Sequence, residues 1–389
     1  MLLAVPAETR AGERRVAIVP DAAKRLIADG WDVTVQSGAG QGASIPDDLY
    51  RAAGVVLAGD ARGTMDGADM VVRVHAPDAA AAALHPEGAL HLSFFQPNEE
   101  LEALRVLAAR RATVFSFDLL PRIGRAQSMD ALSSQSTVAG YRAGLLAAEH
   151  LGRFFPMFMT AAGTVPPAKV LVMGAGVAGL QAIATARRLG AVVHAYDVRE
   201  AAKEEAESLG AKFVDLGVRA EGVGGYARDL SDEELFRQRE ALAAEVAASD
   251  VVITTAAVPG RRAPVLVTTD MVERMGPGTV IIDIAADAGG NCELTEAGRE
   301  VVHAGVTIVG VANPASDMPN HASFLYGRNV ANFCGLLSEQ GSLRPHWSDE
   351  VVTGSCLLRD GRPLHGPTAE LLGVPLASFE DGGDEEAGP

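Results

Sequence analysis

Apolar and polar positions along the first third of the chain alternate between short apolar runs and longer stretches in which apolar residues recur every three or four positions. The first pattern is typical of buried strands and the second of helices. Strands that alternate with helices favour a parallel sheet with helices on both faces. The predicted strands here are 16–20 (VAIVP), 32–36 (DVTVQ), 70–77 (MVVRVHAP) and 89–95 (ALHLSFF), and the predicted helices are 22–30 and 98–111.

The same pattern returns in the second third and is followed by a helical stretch, 320–340, which we expect to pack back on the beginning of the chain. Another helical stretch, 136–156, lies between the two thirds. The predicted strands are 168–173 (AKVLVM), 191–197 (AVVHAYD), 249–256 (SDVVITTA), 278–285 (GTVIIDIA) and 306–313 (VTIVGVAN). We therefore predict an α/β fold of two Rossmann-like, doubly wound parallel-sheet domains joined by long helices, with domain one discontinuous. The predicted domains are 1–132 with 323–389, and 133–322.

Composition narrows the function classes. With 389 residues and 48% hydrophobic content, the chain is long enough for two domains with sizeable cores. Its formal net charge of −17 argues against a nucleic-acid binder, which needs a basic surface. The three cysteines lack metal-ligand spacing, so we expect no metal site and a reducing cytoplasm. No apolar run reaches the length of a membrane span and the N-terminus lacks signal-peptide features, so we expect no direct membrane insertion.

A glycine motif carries the clearest chemical signal. Gly174, Gly176 and Gly179 form G-x-G-x-x-G directly after a predicted strand and at the start of a predicted helix. This arrangement provides a tight turn, a close backbone approach to a pyrophosphate and close helix–strand packing. Asp197 ends the next strand, where a carboxylate binds the adenosine ribose hydroxyls and repels a 2′-phosphate. The motif predicts NAD(H) rather than NADP(H), although Arg199 leaves this preference open, as does the alternative of a turn that serves packing alone.

Three further segments are candidates for binding. Residues 254–260 (TTAAVPG) follow a strand, and the carboxyl ends of strands border the cofactor crevice in doubly wound sheets. Glycines around Tyr226 indicate either a mobile lid or an ordinary surface loop. Residues 122–136 (RIGRAQSMDALSSQS) are too polar for a core strand. The order of the serine, cysteine, histidine and acidic residues suggests no covalent catalysis.

The chain resembles the NAD(H)-binding domain I of proton-translocating nicotinamide nucleotide transhydrogenase, a relative of alanine dehydrogenase, over about residues 1–365. The resemblance is carried by 15–20 (RVAIVP), 121–143 (PRIGRAQSMDALSSQSTVAGYRA), 174–199 (GAGVAGLQAIATARRLGAVVHAYDVR), 254–268 (TTAAVPGRRAPVLVT) and 280–293 (VIIDIAADAGGNCE). It implies that the chain binds NAD(H) and exchanges hydride directly with NADP(H) on domain III of a partner beta subunit. A membrane domain II on other subunits would couple this transfer to proton translocation.

The same resemblance implies a particular assembly. The chain would be the separate subunit that carries domain I in the split, three-polypeptide form of the enzyme. It would form a homodimer that binds one domain III, and it would be cytoplasmic, attached peripherally to the cytoplasmic membrane through its partners. The activity would be an NAD(P) transhydrogenase of the Si/Re-specific type, catalytically complete only with those subunits.

The resemblance also implies site residues. Arg122 would contact the nicotinamide carboxamide, Gln127 would reach toward the nicotinamide ribose and the partner nucleotide, and Asp130 and Ser133 would complete the segment that orients the ring. Hydride transfer requires two rings held in near-attack geometry and no acid or base on the protein, so a polar positioning loop suits it. The remaining implied cofactor contacts are Ile123, Gly124, Arg125, Val177, Val198, Arg199, Gly225, Tyr226, Gln238 and Ala257, where Ala257 replaces a commoner leucine.

Two other functions remain open from the sequence. An alanine dehydrogenase-type enzyme would need a lysine and a histidine for the keto acid, but His75 stands at the lysine position and Phe94 or His91 at the histidine position. Arg15 of that pattern is retained. A non-catalytic NAD-binding module is the third function, and the intact set of Arg122, Gln127 and Asp130 argues against it.

Overall fold

A computed structural model of the chain describes residues 1–215, 231–257, 260–339 and 341–377. In chain order the strands are β1 (Leu2–Val5), β2 (Asp32–Gln36), β3 (Val56–Ala58), β4 (Met70–His75), β5 (Leu90–Phe94), β6 (Thr113–Ser116), β7 (Phe158–Thr160), β8 (Gly163–Val165), β9 (Lys169–Met173), β10 (Val192–Tyr196), β11 (Lys212–Phe213), β12 (Val251–Thr254), β13 (Val280–Asp283), β14 (Glu300–His303), β15 (Val306–Gly310), β16 (Ser338–Glu339), β17 (Ser342–Leu343), β18 (Cys356–Arg359) and β19 (Arg362–Pro363). The α-helices are α1 (Pro20–Ala28), α2 (Asp47–Ala52), α3 (Ala61–Met65), α4 (Ala79–Ala82), α5 (Leu101–Ala109), α6 (Ala131–His150), α7 (Val177–Arg188), α8 (Ala201–Ser208), α9 (Asp232–Ala247), α10 (Thr269–Glu273), α11 (Pro319–Leu337), α12 (Glu350–Gly354) and α13 (Gly366–Leu372). Short 3₁₀ helices cover Gln41–Ala43, Phe117–Leu119, Gly124–Met129 and Ala286–Ala288.

The chain divides into two compact units. Unit 1 comprises Met1–Ser134 and Met318–Pro389, and unit 2 comprises Gln135–Asp317. Each unit contains one large sheet, and most neighbouring strands in both sheets are parallel, which confirms the predicted α/β fold of two Rossmann-like sheets. The assignment of 1–132 with 323–389, and of 133–322, as domains stays a prediction.

Unit 1 is built on an eight-stranded sheet of order β19-β18-β6-β5-β4-β1-β2-β3. The six strands from β6 to β3 are parallel, whereas β18 pairs antiparallel with β6 and with β19. The end of the chain therefore supplies one edge of a sheet that its beginning starts. Helix α11 adds fully buried side chains to this core, among them Tyr326, Phe333 and Leu337.

Unit 2 is built on a seven-stranded sheet of order β11-β10-β9-β12-β13-β15-β14. All strand pairs are parallel except β14 with β15, and the first six positions have the doubly wound 3-2-1-4-5-6 order. Side chains alternate between two cores along β9: Val170 and Val172 contribute to one, and Leu171 and Met173 to the other. A sheet that is buried on both faces is encoded by continuous apolar runs, which explains why the sequence predicts these strands clearly.

The predicted strand 16–20 is wrong. Val16–Val19 is buried, as its apolar sequence indicates, but it forms no ladder and leads directly into α1. Side chains satisfy its backbone instead: the Val16 amide donates to the Ser323 hydroxyl at 3.0 Å, and the Tyr50 hydroxyl donates to the Ile18 carbonyl at 2.8 Å. Apolar sequence reports burial, whereas a strand also requires a neighbouring backbone.

The polar segment 122–136 is more ordered than the loop that its composition suggested. Gly124–Met129 forms a 3₁₀ helix and Ala131 begins α6. Ala126 and Met129 turn inward and are buried, so the small apolar residues within the segment attach it to the core of unit 1. Within the described ranges, no helix combines the length and the hydropathy that crossing a bilayer requires.

Candidate functional site

The glycine motif forms the turn between β9 and α7. Gly174 has a φ of +95°, a backbone conformation that favours glycine, and the Thr255 hydroxyl donates to its carbonyl at 2.9 Å. A Cβ on Gly179 would lie 1.8 Å from the Gly174 carbonyl oxygen, so only glycine permits this contact. A Cβ on Gly176 would meet no atom closer than the Arg199 Nη2 at 3.9 Å. Gly176 therefore leaves open space directly before the first residue of the helix, Val177, whose side chain is exposed.

Asp197 lies next to this turn, and its buried carboxylate has two partners. The amide of Ala175, within the glycine turn, donates to Oδ2 at 2.7 Å. Arg199 donates its backbone amide and its Nε to Oδ1, both at 2.9 Å, and its Nη2 to Oδ2 at 2.8 Å. The hydrogen bond with Asp197 raises the pKa of Arg199 above its ordinary value, against an opposing contribution from burial. The structure thus brings together three of the predicted elements: the turn, Asp197 and Arg199.

The loop after β12 is fixed by a side chain that sequence reasoning missed. The Asn291 amide spans the backbone of Ala256, accepting from its N–H at 3.0 Å and donating to its carbonyl at 2.8 Å. It also donates to the Pro264 carbonyl at 2.8 Å, while the buried Asp283 carboxylate accepts the Asn291 amide N–H at 2.7 Å. Ala257, a predicted cofactor contact, follows directly and is exposed. The residue pair GN after the strand in 280–293 was the available signal, but its partner lies 35 residues away.

The polar segment of unit 1 is held by a helix cap. The Asp130 carboxylate accepts the Ser133 amide at 2.9 Å and the Ser133 hydroxyl at 2.5 Å, which makes Asp130 the N-cap of α6. Its neighbour Ser128 offers its carbonyl to the side-chain amides of Asn329 and Asn332 on α11, at 3.0 and 2.8 Å. The segment is therefore attached at one point to its own helix and at another to the returning helix.

The predicted cofactor contacts within this segment differ in their surroundings. Arg122, Gly124 and Gln127 are exposed, and Ile123 packs against the core of unit 1. Arg125 forms a two-pronged ion pair with Asp349 at 2.6 and 2.7 Å, a contact that sequence reasoning did not foresee. Hydrogen bonds from Arg125 are the largest cause of an Asp349 pKa below its ordinary value.

Three predicted residues are not placed by this structure. Gly225 and Tyr226 lie outside the described residues. Gln238 belongs to α9, but its side chain is not among those described.

A buried ionic cluster occupies the region of unit 1 that an alanine dehydrogenase-type site would use. The Glu13 side chain is fully buried and receives Arg15 Nε at 2.9 Å, Arg15 Nη2 at 2.7 Å and His75 Nε2 at 2.7 Å. Burial alone would raise the pKa of Glu13, but the hydrogen bonds from Arg15 and His75 outweigh it and hold this pKa well below its ordinary value. His91 is buried in β5, where its Nε2 lies 3.0 Å from the Ser93 hydroxyl. Phe94 packs against the Phe117 and Tyr326 rings.

Comparisons with known proteins are consistent across the chain. Residues 4–139 match the family model "Alanine dehydrogenase/PNT, N-terminal domain", and residues 143–366 match "Alanine dehydrogenase/PNT, C-terminal domain". The first of the separate polypeptides that make up the NAD(P) transhydrogenase alpha subunit of Rhodospirillum rubrum is 48% identical over 376 residues, which cover 94% of this chain and 98% of that protein.

Solved structures give the same result. A transhydrogenase from Sinorhizobium meliloti superposes with a TM-score of 0.83 at 42% identity, covering 94% of this chain and all of that one. An L-alanine dehydrogenase superposes with a TM-score of 0.81 at 25% identity, covering 96% of this chain and 99% of that one. The chain therefore belongs to the alanine dehydrogenase/PNT family, and it is similar to the alpha subunit of NAD(P) transhydrogenase.

Proposed function

We propose that this chain is the NAD(H)-binding subunit of a proton-translocating NAD(P) transhydrogenase. It would hold NAD(H) for direct hydride transfer to or from NADP(H) on a partner domain. The observation that carries this proposal is the open, glycine-only turn at the start of α7 with Asp197 hydrogen-bonded to it. The high identity to transhydrogenase alpha subunits over almost the whole chain supports it.

The residues of unit 2 suit a dinucleotide. The space beside Gly176 lies at a helix N-terminus, where exposed amides and the helix dipole favour a pyrophosphate. We propose that the glycine turn and Val177 hold the pyrophosphate and that Asp197, Val198 and Arg199 form the adenosine-ribose site. Ala257 contributes from the loop that Asn291 fixes. Gly225, Tyr226 and Gln238 complete the proposed contacts.

In unit 1 we propose that the polar segment orients the nicotinamide ring. Bound NAD(H) supplies the hydride, and the protein supplies position. Arg122, with Ile123, Gly124 and Arg125 beside it, would hold the carboxamide side, and Gln127 would reach the nicotinamide ribose. Asp130 and Ser133 are fixed by their mutual hydrogen bonds, so they offer preorganised polar atoms with little conformational freedom to lose.

The alanine dehydrogenase-type alternative is disfavoured by the buried ionic cluster. A keto acid carboxylate needs a cation with free donors, but Arg15 and His75 both donate to Glu13. His91 is fully buried, and burial is the main reason that its pKa lies well below the ordinary value for histidine. A neutral, buried imidazole is a poor general acid at neutral pH.

The proposed assembly contains partners. We propose a homodimer that binds the NADP(H)-carrying domain III of the beta subunit, with membrane domain II on further subunits coupling the transfer to proton movement. In this arrangement the chain is cytoplasmic and is attached to the membrane through those subunits.

One titration tests the proposed function. Purified chain is titrated with NADH while nicotinamide fluorescence is recorded, and pyruvate with ammonium is then added while absorbance is followed. We expect binding with no oxidation, followed by oxidation once domain III carrying NADP⁺ is supplied. Steady oxidation by pyruvate and ammonium would establish the alanine dehydrogenase-type function instead. Binding without hydride transfer to NADP⁺ on domain III would favour the non-catalytic module.

A further inference from the structure

We propose that Arg199 competes with the adenosine ribose for Asp197 and thereby weakens the selectivity of this site for NADH over NADPH. This inference rests on the proposed function, because it concerns the same nucleotide site. It assigns Arg199 a role opposite to that of a simple cofactor ligand. It also gives a physical answer to the question that Arg199 raises in the sequence.

The Asp197 carboxylate is saturated by the contacts that it already makes. Arg199 provides two donors to Oδ1 and one to Oδ2, and the Ala175 amide provides the second donor to Oδ2. A carboxylate has about four lone-pair positions, so four donors fill them. The two ribose hydroxyls that Asp197 is expected to bind need acceptor positions of their own. Ribose binding at Asp197 therefore requires Arg199 to withdraw.

Arg199 is the partner that can move. Asp197 is 7% exposed and Ala175 is fully buried, and the Ala175 contact is made by backbone within the glycine turn. The Arg199 side chain is 23% exposed, and its guanidinium reaches Asp197 from the edge of the site. Its Nη2 lies 3.9 Å from the position of a Cβ on Gly176, so the cation stands at the positive end of the α7 dipole. That position favours an anion over a cation.

The charge of the pair determines how the site treats a 2′-phosphate. Asp197 alone would repel the phosphate of NADPH, whereas the paired guanidinium compensates the carboxylate charge. A guanidinium that leaves Asp197 also has the planar donor geometry that binds phosphate in a two-pronged manner. Arg199 therefore opposes NADH binding and assists NADPH binding through the same two contacts.

Four proteins test this inference: the wild type, Arg199→Ala, Asp197→Asn and the control Arg188→Ala. Arg188 is an exposed arginine at the end of α7, so its removal changes the net charge equally without touching Asp197. Dissociation constants for NADH and NADPH are measured on each by nicotinamide fluorescence and by calorimetry. We choose Asp197→Asn because the amide oxygen can still accept the Ala175 hydrogen bond.

We expect Arg199→Ala to bind NADH more tightly and NADPH more weakly, so that the selectivity ratio rises by about tenfold or more, the effect of one charge-assisted contact. Asp197→Asn should lower the ratio, because it removes the repulsion and releases Arg199. Arg188→Ala should leave the ratio unchanged. A loss of folding cannot imitate this result, since it would weaken both nucleotides together and leave the ratio unchanged.

The outcomes separate the inference from the function on which it rests. Failure of the wild type to bind NADH would contradict the proposed function. Wild-type binding with weaker NADH binding by Arg199→Ala would leave that function intact and overturn the inference, because Arg199 would then be a ligand and not a competitor. An unchanged selectivity ratio in Arg199→Ala would overturn it as well.

Discussion

At the scale of single residues, Asp130 combines a helix cap with a proposed positioning role, and one substitution separates them. Asn caps helices about as well as Asp, so Asp130→Asn keeps the contacts to Ser133 and removes only the charge. We expect NADH affinity to change little. Single-turnover hydride transfer to NADP⁺ on domain III should fall by about tenfold or more, because ring orientation is what the segment supplies.

A matched control lies two residues away. Ser128 contacts Asn329 and Asn332 through its backbone carbonyl, so Ser128→Ala keeps those contacts and should leave both binding and transfer unchanged. Gln127→Asn, which shortens an exposed amide side chain by one methylene, should reproduce the effect of Asp130→Asn. Equal losses of binding and transfer in either site variant would contradict the positioning role.

Two buried histidines predict an acid-sensitive fold. The His85 and His91 rings lie 5.6 Å apart, and His85 Nε2 and His91 Nδ1 have no hydrogen-bond partner among the described residues. Burial is the main cause that lowers the pKa of His85 to about 4 and that of His91 well below its ordinary value. The unfolded chain protonates both near pH 6.5, so between pH 6.5 and 4 it binds protons that the folded chain does not.

Stability should therefore fall as the pH is lowered through this range, by about 1.4 kcal/mol per pH unit for each histidine. The measurement is the free energy of unfolding by urea at several pH values, for the wild type and for His85→Gln/His91→Gln. We expect the double variant to lose less stability on acidification, whatever its stability at pH 7. The exposed His346→Gln is the control and should keep the wild-type slope. Parallel slopes for wild type and double variant would contradict the prediction.

Residue identities predict the polar groups of the site but not their partners. Asp197 is expected from its position after a strand, and Arg199 is evident as its neighbour. Their mutual saturation depends on a rotamer that no pattern specifies. Sequence reasoning misses Asn291 because its contacts to Ala256 and Pro264 join segments that are distant in sequence. Local sequence indicates which groups are present, and tertiary structure decides what they contact.

At the scale of elements, the sequence is informative wherever burial and secondary structure coincide. Strands β9, β10 and β12 are buried in a parallel sheet, and their apolar runs predict them correctly. Strand β1 was not predicted, although it lies between β2 and β4 at the centre of the unit 1 sheet. Four residues at a chain end offer too short a pattern to distinguish a strand from an apolar terminus.

Helix α6 gives an element-scale prediction through its small residues. A Cβ on Gly140 would lie 2.0 Å from the carbonyl oxygen of Ala178, in the first turn of α7, and backbone cannot rotate away as a side chain can. We expect Gly140→Ala to lower the free energy of unfolding by about 3 kcal/mol, at the upper end of ordinary overpacking. Urea denaturation followed by circular dichroism measures the change.

The control for that substitution is another helical glycine. Gly335 in α11 is exposed and has no atom within 4 Å of its Cβ position, so Gly335→Ala should raise stability by about 0.5–1 kcal/mol through helix propensity. Opposite signs for the two substitutions would confirm that packing, and not backbone entropy, determines the effect at Gly140. A neutral Gly140→Ala would contradict the close approach of α6 and α7.

At the scale of the whole molecule, the path of the chain determines which fragments can fold. Unit 1 takes β1 to β6 from the beginning of the chain, and α11, β18 and β19 from its end. Phe333 of α11 packs against the Phe115 and Phe117 rings, and all three side chains are essentially fully buried. Unit 2 draws every strand of its large sheet from the middle of the chain.

Removal of the returning segment should therefore damage one unit and spare the other. In fragment 1–317, the faces that α11 and β18 cover are exposed, so we expect the amides of β1, β4 and β5 to lose their protection against hydrogen exchange. The amides of β9, β10 and β12 should remain protected, both there and in fragment 131–317, which keeps α6 whole. The full chain with Phe333→Ala is the milder test, since a cavity of this kind costs about 3–5 kcal/mol and should weaken protection in unit 1 first. Wild-type protection of β1, β4 and β5 in fragment 1–317 would mean that the beginning of the chain forms a stable core without the segment that completes its sheet.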